Sequence, residues 1–473
     1  MNEVRRAIHL AAPVQRVWAF LTDPQKLSTW LMDSDFSTTP GARFKFTSPP
    51  SGRWDGTIHC EIKDVIENER ISYTWCANDI GETTLVTFDL EPSHNGTRLT
   101  LTHEGFEKTI GGASGRHDAG WSGCLKALRI AVLGSSLDYD WSEFQITYFV
   151  DASIQEVFGL WATAHGMARF WADEVTAIDT DGQARSGNAI YDNGDRIHLR
   201  FPTQAETELE ILNVERDKFI LFSFGEDYGW VHVSLTLEGG RTRVVLRQFG
   251  MPDDTESHWE VHANARGWWV FNLMNIQSVL VHGYDLRVRE PASANGLGAL
   301  YQLSNEAVPK FHDWTLFDVH LYMDATPADV LRYWQTVDGL TQFFIAEMTA
   351  CHDNHDEVGD SALVPGSRYR WHGIHDYHGE GQFLRITDES VEFTFGPYRV
   401  EVSVMPLGAG TRLHLRQSGI GGENNERVQG TLNCRSCWIY FLVNLKSLVE
   451  TRIDLRDKNP ATADAISVGF NRS

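Results

Sequence analysis

Three polar side chains occupy the same place in three similar stretches of the sequence. The stretches are GTRLTLTHEG from Gly96, GRTRVVLRQFG from Gly240 and GTRLHLRQSG from Gly410. Alternation along an extended strand places His103, Gln248 and Gln417 on the same face as the apolar residues two and four positions earlier. A polar group on an apolar face could hydrogen-bond a bound molecule. It could equally satisfy a turn amide where the strand leaves the core, and both interpretations stay open.

Other candidate chemistry is weaker. Five histidines gather in CHDNHDE and WHGIHDYHGEG, at positions His352, His355, His372, His375 and His378. Their spacing does not force three or four ligands to converge, so we predict no metal site. The only close cysteine pair, Cys434 and Cys437, has no second pair to complete a zinc site. Since no nucleophile elbow, phosphate loop or dinucleotide fingerprint is present, we predict neither catalytic residues nor a cofactor.

The elements that must position the three polar residues also recur. Two short amphipathic helices are predicted in each of three stretches, AAPVQRVWAFLTDPQKLSTWL from Ala11, DASIQEVFGLWATAHGMARFW from Asp151 and DATPADVLRYWQTVDGLTQFF from Asp324. Period-two strands follow, among them ISYTW, ILFSF and VEFTF. Each unit closes with a long apolar helix headed by a tryptophan, namely Trp121, Trp269 or Trp438. Each unit therefore reads as strand, two short helices, about five or six strands, and a long helix.

Each repeated unit is long enough to form a hydrophobic core of its own, so we predict three tandem domains rather than a solenoid. The 473 residues allow two to four domains at roughly 100–200 residues each. The predicted ranges are 1–137, 141–289 and 313–460. A short polar joint, SSLDYDWSEF, separates the first two, and an irregular linker at 290–312 separates the last two.

Composition excludes several classes of function. The chain carries 41 basic and 64 acidic residues, a net charge of −23, so nucleic acid is excluded as a partner because phosphate binding needs a basic surface. No stretch approaches the roughly 20 apolar residues of a membrane span, and MNEVRRAIHLAAP lacks the apolar region of a signal peptide. We therefore expect a cytoplasmic protein that does not span a membrane.

Several of these stretches together resemble a family. APVQRVWAFLTDPQKLSTWL, PGARFKF, GTIHCEIKDVIENERISYTW, TLVTFDLEP and GWSGCLKAL are similar to a START-like (SRPBCC) domain. The subgroup that they resemble most is related to the C-terminal domain of the heat-shock-chaperone ATPase activator. The likeness runs through nearly all of the first unit and is looser in the other two. It implies an α+β fold of three tandem helix-grip domains, each a curled antiparallel sheet around a long C-terminal helix with a cavity between them.

The resemblance also implies a function. Members bind lipids or other apolar molecules, some are cyclases and some are co-chaperones, so fold alone does not decide between these activities. We expect non-catalytic binding of an apolar small molecule or lipid. The alternatives are a co-chaperone that activates a heat-shock ATPase, and a cyclase-like enzyme. The expected ligand-binding residues are Tyr73, Trp75, Phe88, Leu101, His103, Trp121, Leu125, Phe222, Phe224, Gln248, Trp269, Phe393, Phe395, Gln417 and Trp438.

Only one of the three polar candidates can ionise. Gln248 and Gln417 are neutral at every pH, whereas a histidine has an ordinary pKa near 6.5. From the sequence we therefore expect any pH dependence of ligand binding near 6.5 to belong to the first unit alone. We also expect His103→Leu to leave the fold intact.

Overall fold

The fold is seen in a computed structural model of the chain. It describes residues 3–10, 12–50, 54–77, 83–93, 96–106, 113–133, 139–201, 205–224, 228–251, 258–288, 313–352, 356–357, 362–373, 378–422 and 424–458. The predicted linker at 290–312 and the histidines His355 and His375 lie outside these residues.

The first unit is built as the sequence predicts. Its strands are β1 Glu3–Leu10, β2 Asp33–Ser34, β3 Arg43–Thr47, β4 Thr57–Ile66, β5 Arg70–Ala77, β6 Thr83–Ser93 and β7 Gly96–Glu104. Its helices are α1 Val14–Thr22, α2 Pro24–Leu27 and the long α3 Ala113–Leu133.

The second unit repeats this order. Its strands are β8 Glu143–Val150, β9 Glu174–Ile178, β10 Arg196–Arg200, β11 Glu206–Glu215, β12 Phe219–Ser223, β13 Trp230–Glu238 and β14 Arg241–Phe249. Its helices are α4 Ile154–Ala162, α5 Ala164–Phe170 and the long α6 His258–Gln277, which continues as a π-helical turn, Ser278–His282.

The third unit adds one very short strand. Its strands are β15 Leu316–Met323, β16 Glu347–His352, β17 Asp356–Glu357, β18 Arg368–His372, β19 His378–Ile386, β20 Ser390–Phe395, β21 Tyr398–Leu407 and β22 Gly410–Ser418. Its helices are α7 Pro327–Leu331, α8 Val337–Phe343 and the long α9 Asn424–Thr451.

Each unit forms one antiparallel sheet that curls around its long helix. The first strand pairs with the last, as in the order β1-β7-β6-β5-β4-β3-β2, and the other two sheets follow the same pattern. A break in register recurs at equivalent places, between β4 and β5, β11 and β12, and β19 and β20. Such bulges bend a strand, which helps the sheet to wrap without closing into a barrel. These are three tandem helix-grip domains, as the sequence predicts.

Local sequence explains where the short helices begin. Ser153 forms a capping box with Glu156 at the start of α4, and Thr326 accepts from the backbone N–H of Asp329 at the start of α7. The close approach of the paired helices also requires glycine. A Cβ on Gly166 would lie 2.1 Å from the carbonyl oxygen of Gly159, so a larger residue cannot pack there.

The hydrophobic cores show that the three units are not equally independent. Buried side chains of the first unit form a cluster of their own, from Val4 to Val132. Those of the second and third units form a single continuous cluster, from Phe144 to Leu455. The last two units therefore pack as one body.

The packing of α6 against α9 has approximate two-fold symmetry. Arg266 on α6 donates from Nη2 to Asn433 Oδ1 at 2.8 Å, and its repeat equivalent Arg435 on α9 donates from Nη2 to Asn264 Oδ1 at 3.2 Å. Arg435 also donates from Nη1 to the carbonyl oxygen of Ala263 at 2.7 Å. Reciprocal contacts of this kind are those of a symmetric dimer interface, here made within one chain.

The segments that enter β8 and β15 continue the same symmetry. Trp141 and Trp314 stack on each other with ring centroids 5.2 Å apart. The carbonyl oxygen of Trp141 lies 3.0 Å from His262 Nδ1, and Thr431, the repeat equivalent of His262, donates to the carbonyl oxygen of Trp314 at 2.5 Å. The stretch that the sequence suggests to be a polar joint is thus packed at Trp141. The exact domain ranges stay predictions.

A repeated asparagine ties the end of each of the last two units to its long helix. Asn275 accepts from the backbone N–H of Leu286 at 2.8 Å, and Asn444 accepts from that of Leu455 at 2.7 Å. The same side chains donate to the carbonyl oxygens of Phe170 and Phe343. The signal for this contact is an Asn in each of the two long helices with Asp-Leu-Arg beginning at the same distance after it, at Asp285 and Asp454, which our sequence analysis missed.

Candidate functional site

The interior of the first unit is an aromatic cluster beneath the sheet. The expected residues Tyr73, Trp75, Phe88, Leu101, His103, Trp121 and Leu125 are all buried. The ring of Trp121 lies 5.2 Å from that of Trp75 and 5.8 Å from that of Phe88. Tyr73 lies 6.4 Å from Phe88 in the same cluster. The strand alternation thus brings the expected residues of this unit together.

His103 is fully engaged by the protein itself. Trp121 donates from Nε1 to His103 Nδ1 at 2.9 Å, and His103 Nε2 lies 2.7 Å from Thr84 Oγ1. Thr84 in turn donates to the carbonyl oxygen of Trp75 at 3.0 Å. Since Nδ1 must accept from the indole, this network assigns the proton to Nε2, which donates to Thr84. Nδ1 therefore joins strand β7 to helix α3, whereas Nε2 joins β7 to the neighbouring strand β6.

The surroundings keep His103 neutral. Burial, and next to it the neighbouring His117, lower the pKa of His103 to about 2. A second proton would have to go on Nδ1, where it would face the N–H of Trp121. The expectation that this residue titrates near 6.5 is therefore wrong, because the desolvated ring cannot be charged cheaply. A neutral ring with both nitrogens occupied is also unsuited to general acid–base catalysis.

The second unit uses glutamine for the same purpose. Trp269 on α6 donates from Nε1 to Gln248 Oε1 at 2.6 Å. The amide nitrogen of Gln248 donates to the carbonyl oxygen of Tyr228 at 2.8 Å. Gln248 is completely buried. Strand and long helix are joined as in the first unit, and both ends of the polar side chain have partners.

The third unit makes only half of this arrangement. Trp438 on α9 donates from Nε1 to Gln417 Oε1 at 2.5 Å. The amide nitrogen of Gln417, in contrast, is buried without an oxygen or nitrogen acceptor. The three sequence-predicted polar residues thus share one contact, to the tryptophan of the long helix, and differ in the second.

The remaining expected residues lie near these contacts. Phe222 and Phe393 are buried, whereas Phe224 and Phe395 are half-buried. The sequence analysis missed two tryptophans, Trp161 and Trp334, that pack on the long-helix tryptophans with ring centroids 5.7 and 5.9 Å apart. Their signal was available, since they occupy equivalent positions in two aligned helices.

Two concave sites lie away from the expected lining. A groove of about 940 Å³ runs along one end of the first unit, between Pro13, Ile66 and Glu91. A cleft of about 400 Å³ separates the second and third units, where Arg241 pairs with Asp151 and Asp457. Neither concavity is lined by an expected ligand-binding residue.

The part of the chain that the structure describes contains no candidate metal site. There, no three or more histidine, cysteine, aspartate or glutamate side chains are grouped so that they could hold an ion. Within that same part, His372 and His378 lie across a strand pair with ring centroids 5.9 Å apart.

A family model accounts for two of the three units. It describes the Activator of Hsp90 ATPase homolog 1-like proteins and matches residues 11–132 and 324–450, more than half of the chain. The chain belongs to this family. The matches cover the helix-grip elements of the first and third units, including the strand–helix contacts of His103 and Gln417. The second unit has the same fold without a match to the family model.

Solved structures are similar to parts of the chain. Protein MLL2253 from Mesorhizobium loti is 29% identical, with 28% of this chain and 99% of that one covered and a TM-score of 0.26. DynU16, from the dynemicin biosynthetic locus, is 16% identical, with 55% and 93% covered and a TM-score of 0.26. CalU16 from Micromonospora echinospora is 20% identical, with 28% and 75% covered and a TM-score of 0.23. No curated protein matches the sequence.

None of the helices in the described residues is both long and apolar enough to cross a membrane.

Proposed function

We propose that the protein binds apolar small molecules or lipids, without catalysis, in the interiors of its helix-grip units. The fold of the family supports this proposal, since helix-grip proteins hold apolar ligands between sheet and long helix. The interiors of this chain are rich in aromatic side chains, which supply large apolar contact areas. His103 does not favour the cyclase alternative, because both of its ring nitrogens are engaged and its pKa is far from neutrality.

One observation carries the proposal. Trp161 and Trp334 are completely buried, and neither indole N–H has a hydrogen-bond partner. Trp75 in the first unit is buried with its N–H unpartnered as well. Leaving a buried donor unpartnered costs about 1–3 kcal/mol. A ligand that inserts an acceptor beside these rings would offset that cost while its apolar body packs against them.

Binding can be tested with the full chain and laurate. We expect saturable quenching of tryptophan fluorescence, and we expect Trp161→Phe or Trp334→Phe, which keep the ring and remove the donor, to weaken binding by roughly three- to tenfold. Trp259→Phe is the control, because Trp259 packs at the junction of the second and third units, against Trp314. The proposal fails if laurate does not bind and native mass spectrometry of the purified chain finds no apolar molecule.

A second candidate function is activation of a heat-shock ATPase. The double match to a family described as Hsp90 ATPase activator-like favours it. In that case the full chain should raise the ATP turnover of an Hsp90-type chaperone in proportion to the amount bound. Unchanged ATP turnover at a saturating concentration of this protein, together with no complex in sedimentation, would exclude ATPase activation.

A further inference from the structure

The third unit differs from the other two at one buried amide. Both nitrogens of His103 and both ends of Gln248 are occupied, whereas Gln417 Nε2 has no oxygen or nitrogen acceptor. Gln417 is 1% exposed. We propose that the third unit prefers a planar, uncharged, apolar ligand that carries a carbonyl-type acceptor for Gln417. This inference rests on the proposed function.

Gln417 Nε2 lacks an oxygen acceptor because the hairpin across the sheet from it is shorter than in the second unit. Gln248 pairs across the sheet with Val231, and Tyr228, three residues earlier, supplies the carbonyl oxygen that Gln248 Nε2 reaches. Gln417 pairs with Val400, and the residue three earlier is Pro397, in a two-residue turn between Phe395 and Tyr398.

That turn directs its carbonyl oxygen elsewhere. A Cβ built on Gly419 would lie 3.2 Å from Pro397 O, so this oxygen lies against the end of β22. The third unit has lost the internal acceptor and kept the glutamine. The buried amide that holds Trp438 is thereby left with only the sulfur of Cys434, a weak acceptor, beside its donor.

Half-buried rings form a stacking surface in the same unit. Trp371 stacks on Phe395 with ring centroids 4.7 Å apart, and Phe344 stacks on Trp438 at 4.7 Å. Phe344 also lies 5.2 Å from Phe395. Since Phe344, Trp371 and Phe395 are all partly exposed, a flat molecule can reach them. Trp438 connects this surface to Gln417.

The polar groups of the site select for a neutral acceptor. Trp371, a ring of the stacking surface, carries a second buried donor without a partner, its Nε1, so this unit offers uncharged donors together with several rings. Burial raises the pKa of the Cys434 thiol, and a side-chain hydrogen bond with Gln417 opposes this in part. A thiol sulfur is a weak acceptor, which a ligand oxygen could replace. A carboxylate loses more hydration free energy than a ketone when it is buried beside such neutral donors, so we expect this unit to prefer the ketone.

The test uses the full chain and two probes of nearly the same shape. 2-Acetylnaphthalene carries a carbonyl, and 2-isopropenylnaphthalene replaces its oxygen with a CH₂ group. We expect the ketone to bind roughly three- to tenfold more tightly, as measured by quenching of tryptophan fluorescence. Gln417→Leu should abolish this preference. The matched control Gln248→Leu, which removes the same contact to a long-helix tryptophan, should keep it.

A second variant tests the inference even if Gln417→Leu does not fold. Trp371→Phe keeps the stacking ring and removes one donor, and we expect it to lower the preference for the ketone. Equal binding of the two probes by the wild-type chain overturns the inference but leaves the proposed function, since an apolar molecule still binds. The inference, but not the proposed function, also fails if Gln248→Leu loses the preference for the ketone while Gln417→Leu keeps it. It fails in the same way if laurate binds and neither naphthalene does. Failure of all three molecules to bind overturns both.

Discussion

At the scale of single residues, one hydrogen bond is made three times. An indole N–H of the long helix donates to a polar side chain near the end of the last strand, with His103 accepting in one unit and Gln248 and Gln417 in the others. Histidine and glutamine are interchangeable here because each offers an acceptor at a similar reach. The contact ties sheet to helix across the interior, where a missing partner would be costly.

This role makes a prediction about His103 that differs from the one drawn from sequence. His103→Leu removes the acceptor of Trp121 and the donor to Thr84, so we expect it to destabilise the first unit by about 1–3 kcal/mol. His103→Gln is the matched control, since the other units use glutamine, and it should cost less. Scanning calorimetry of the full chain measures both. Equal stability of the two variants would show that the indole contact contributes little.

The lowered pKa of His103 gives a second prediction, of pH dependence. The unfolded ring takes up a proton below its ordinary pKa near 6.5, whereas the folded ring does so only near 2. The unfolded state therefore binds more protons between these values, and the first unit loses stability as pH falls below about 6.5. The loss from this residue is about 1.4 kcal/mol per pH unit.

The His103→Gln variant isolates that effect. Its unfolding free energy should lack the pH-dependent contribution of the histidine. The difference in unfolding free energy between wild type and variant should therefore change between pH 6.5 and 5 and stay constant between pH 7 and 8. A difference that does not vary with pH would mean that the ring accepts a proton in the folded state.

At the scale of elements, the ends of the long helices are held by side chains rather than by the helices alone. Asn275 and Asn444 each accept from the backbone of the following segment and donate to the end of a short helix. The arginine that follows adds contacts; Arg456 donates to the carbonyl oxygens of Thr341 and Ile345. One asparagine thus fixes three elements.

Removal of this asparagine should loosen the end of the unit. Asn444→Ala leaves the N–H of Leu455 and the carbonyl oxygen of Phe343 without their side-chain partner, so we expect a loss of about 1–3 kcal/mol. Hydrogen exchange should report faster exchange of the Leu455 amide, while amides of the first unit stay unchanged. Unaltered protection at Leu455 would show that Arg456 alone holds the segment.

At the scale of the whole molecule, the chain is one helix-grip unit joined to a fused pair. The continuous core of the second and third units, and the reciprocal Arg266 and Arg435 contacts, make the pair resemble a dimer closed within one chain. The two long helices lie close together at Gly267, where a Cβ would lie 2.7 Å from Ile439 Cδ1.

We therefore predict that the pair unfolds in a single transition, separate from the first unit. Gly267→Val should lower the temperature of that transition by an amount corresponding to about 1–3 kcal/mol, because the added atoms overpack the helix crossing. Gly430→Val on α9 is the control, since its Cβ would make only an ordinary contact at 3.6 Å. Three separate transitions in calorimetry would contradict the shared core.

The sequence by itself determined the repeated architecture. Period-two and helical spacing report which face of an element is apolar, and three copies of the same order gave the fold of each unit and the inward face of His103, Gln248 and Gln417. Burial of nearly every aromatic residue expected in the interiors follows from the same periodicity, because side-chain alternation is a property of the local backbone.

Only the tertiary structure decided what those inward groups contact. His103 and Trp121 come from different elements, and the pairing of Arg266 with Asn433 joins different units, so no local spacing encodes either contact. Whether Gln417 Nε2 finds an oxygen acceptor depends on the path of a hairpin that lies across the sheet from it. Periodicity fixes the face on which a side chain lies, whereas its partners and its pKa depend on groups that folding brings to it from elsewhere in the chain.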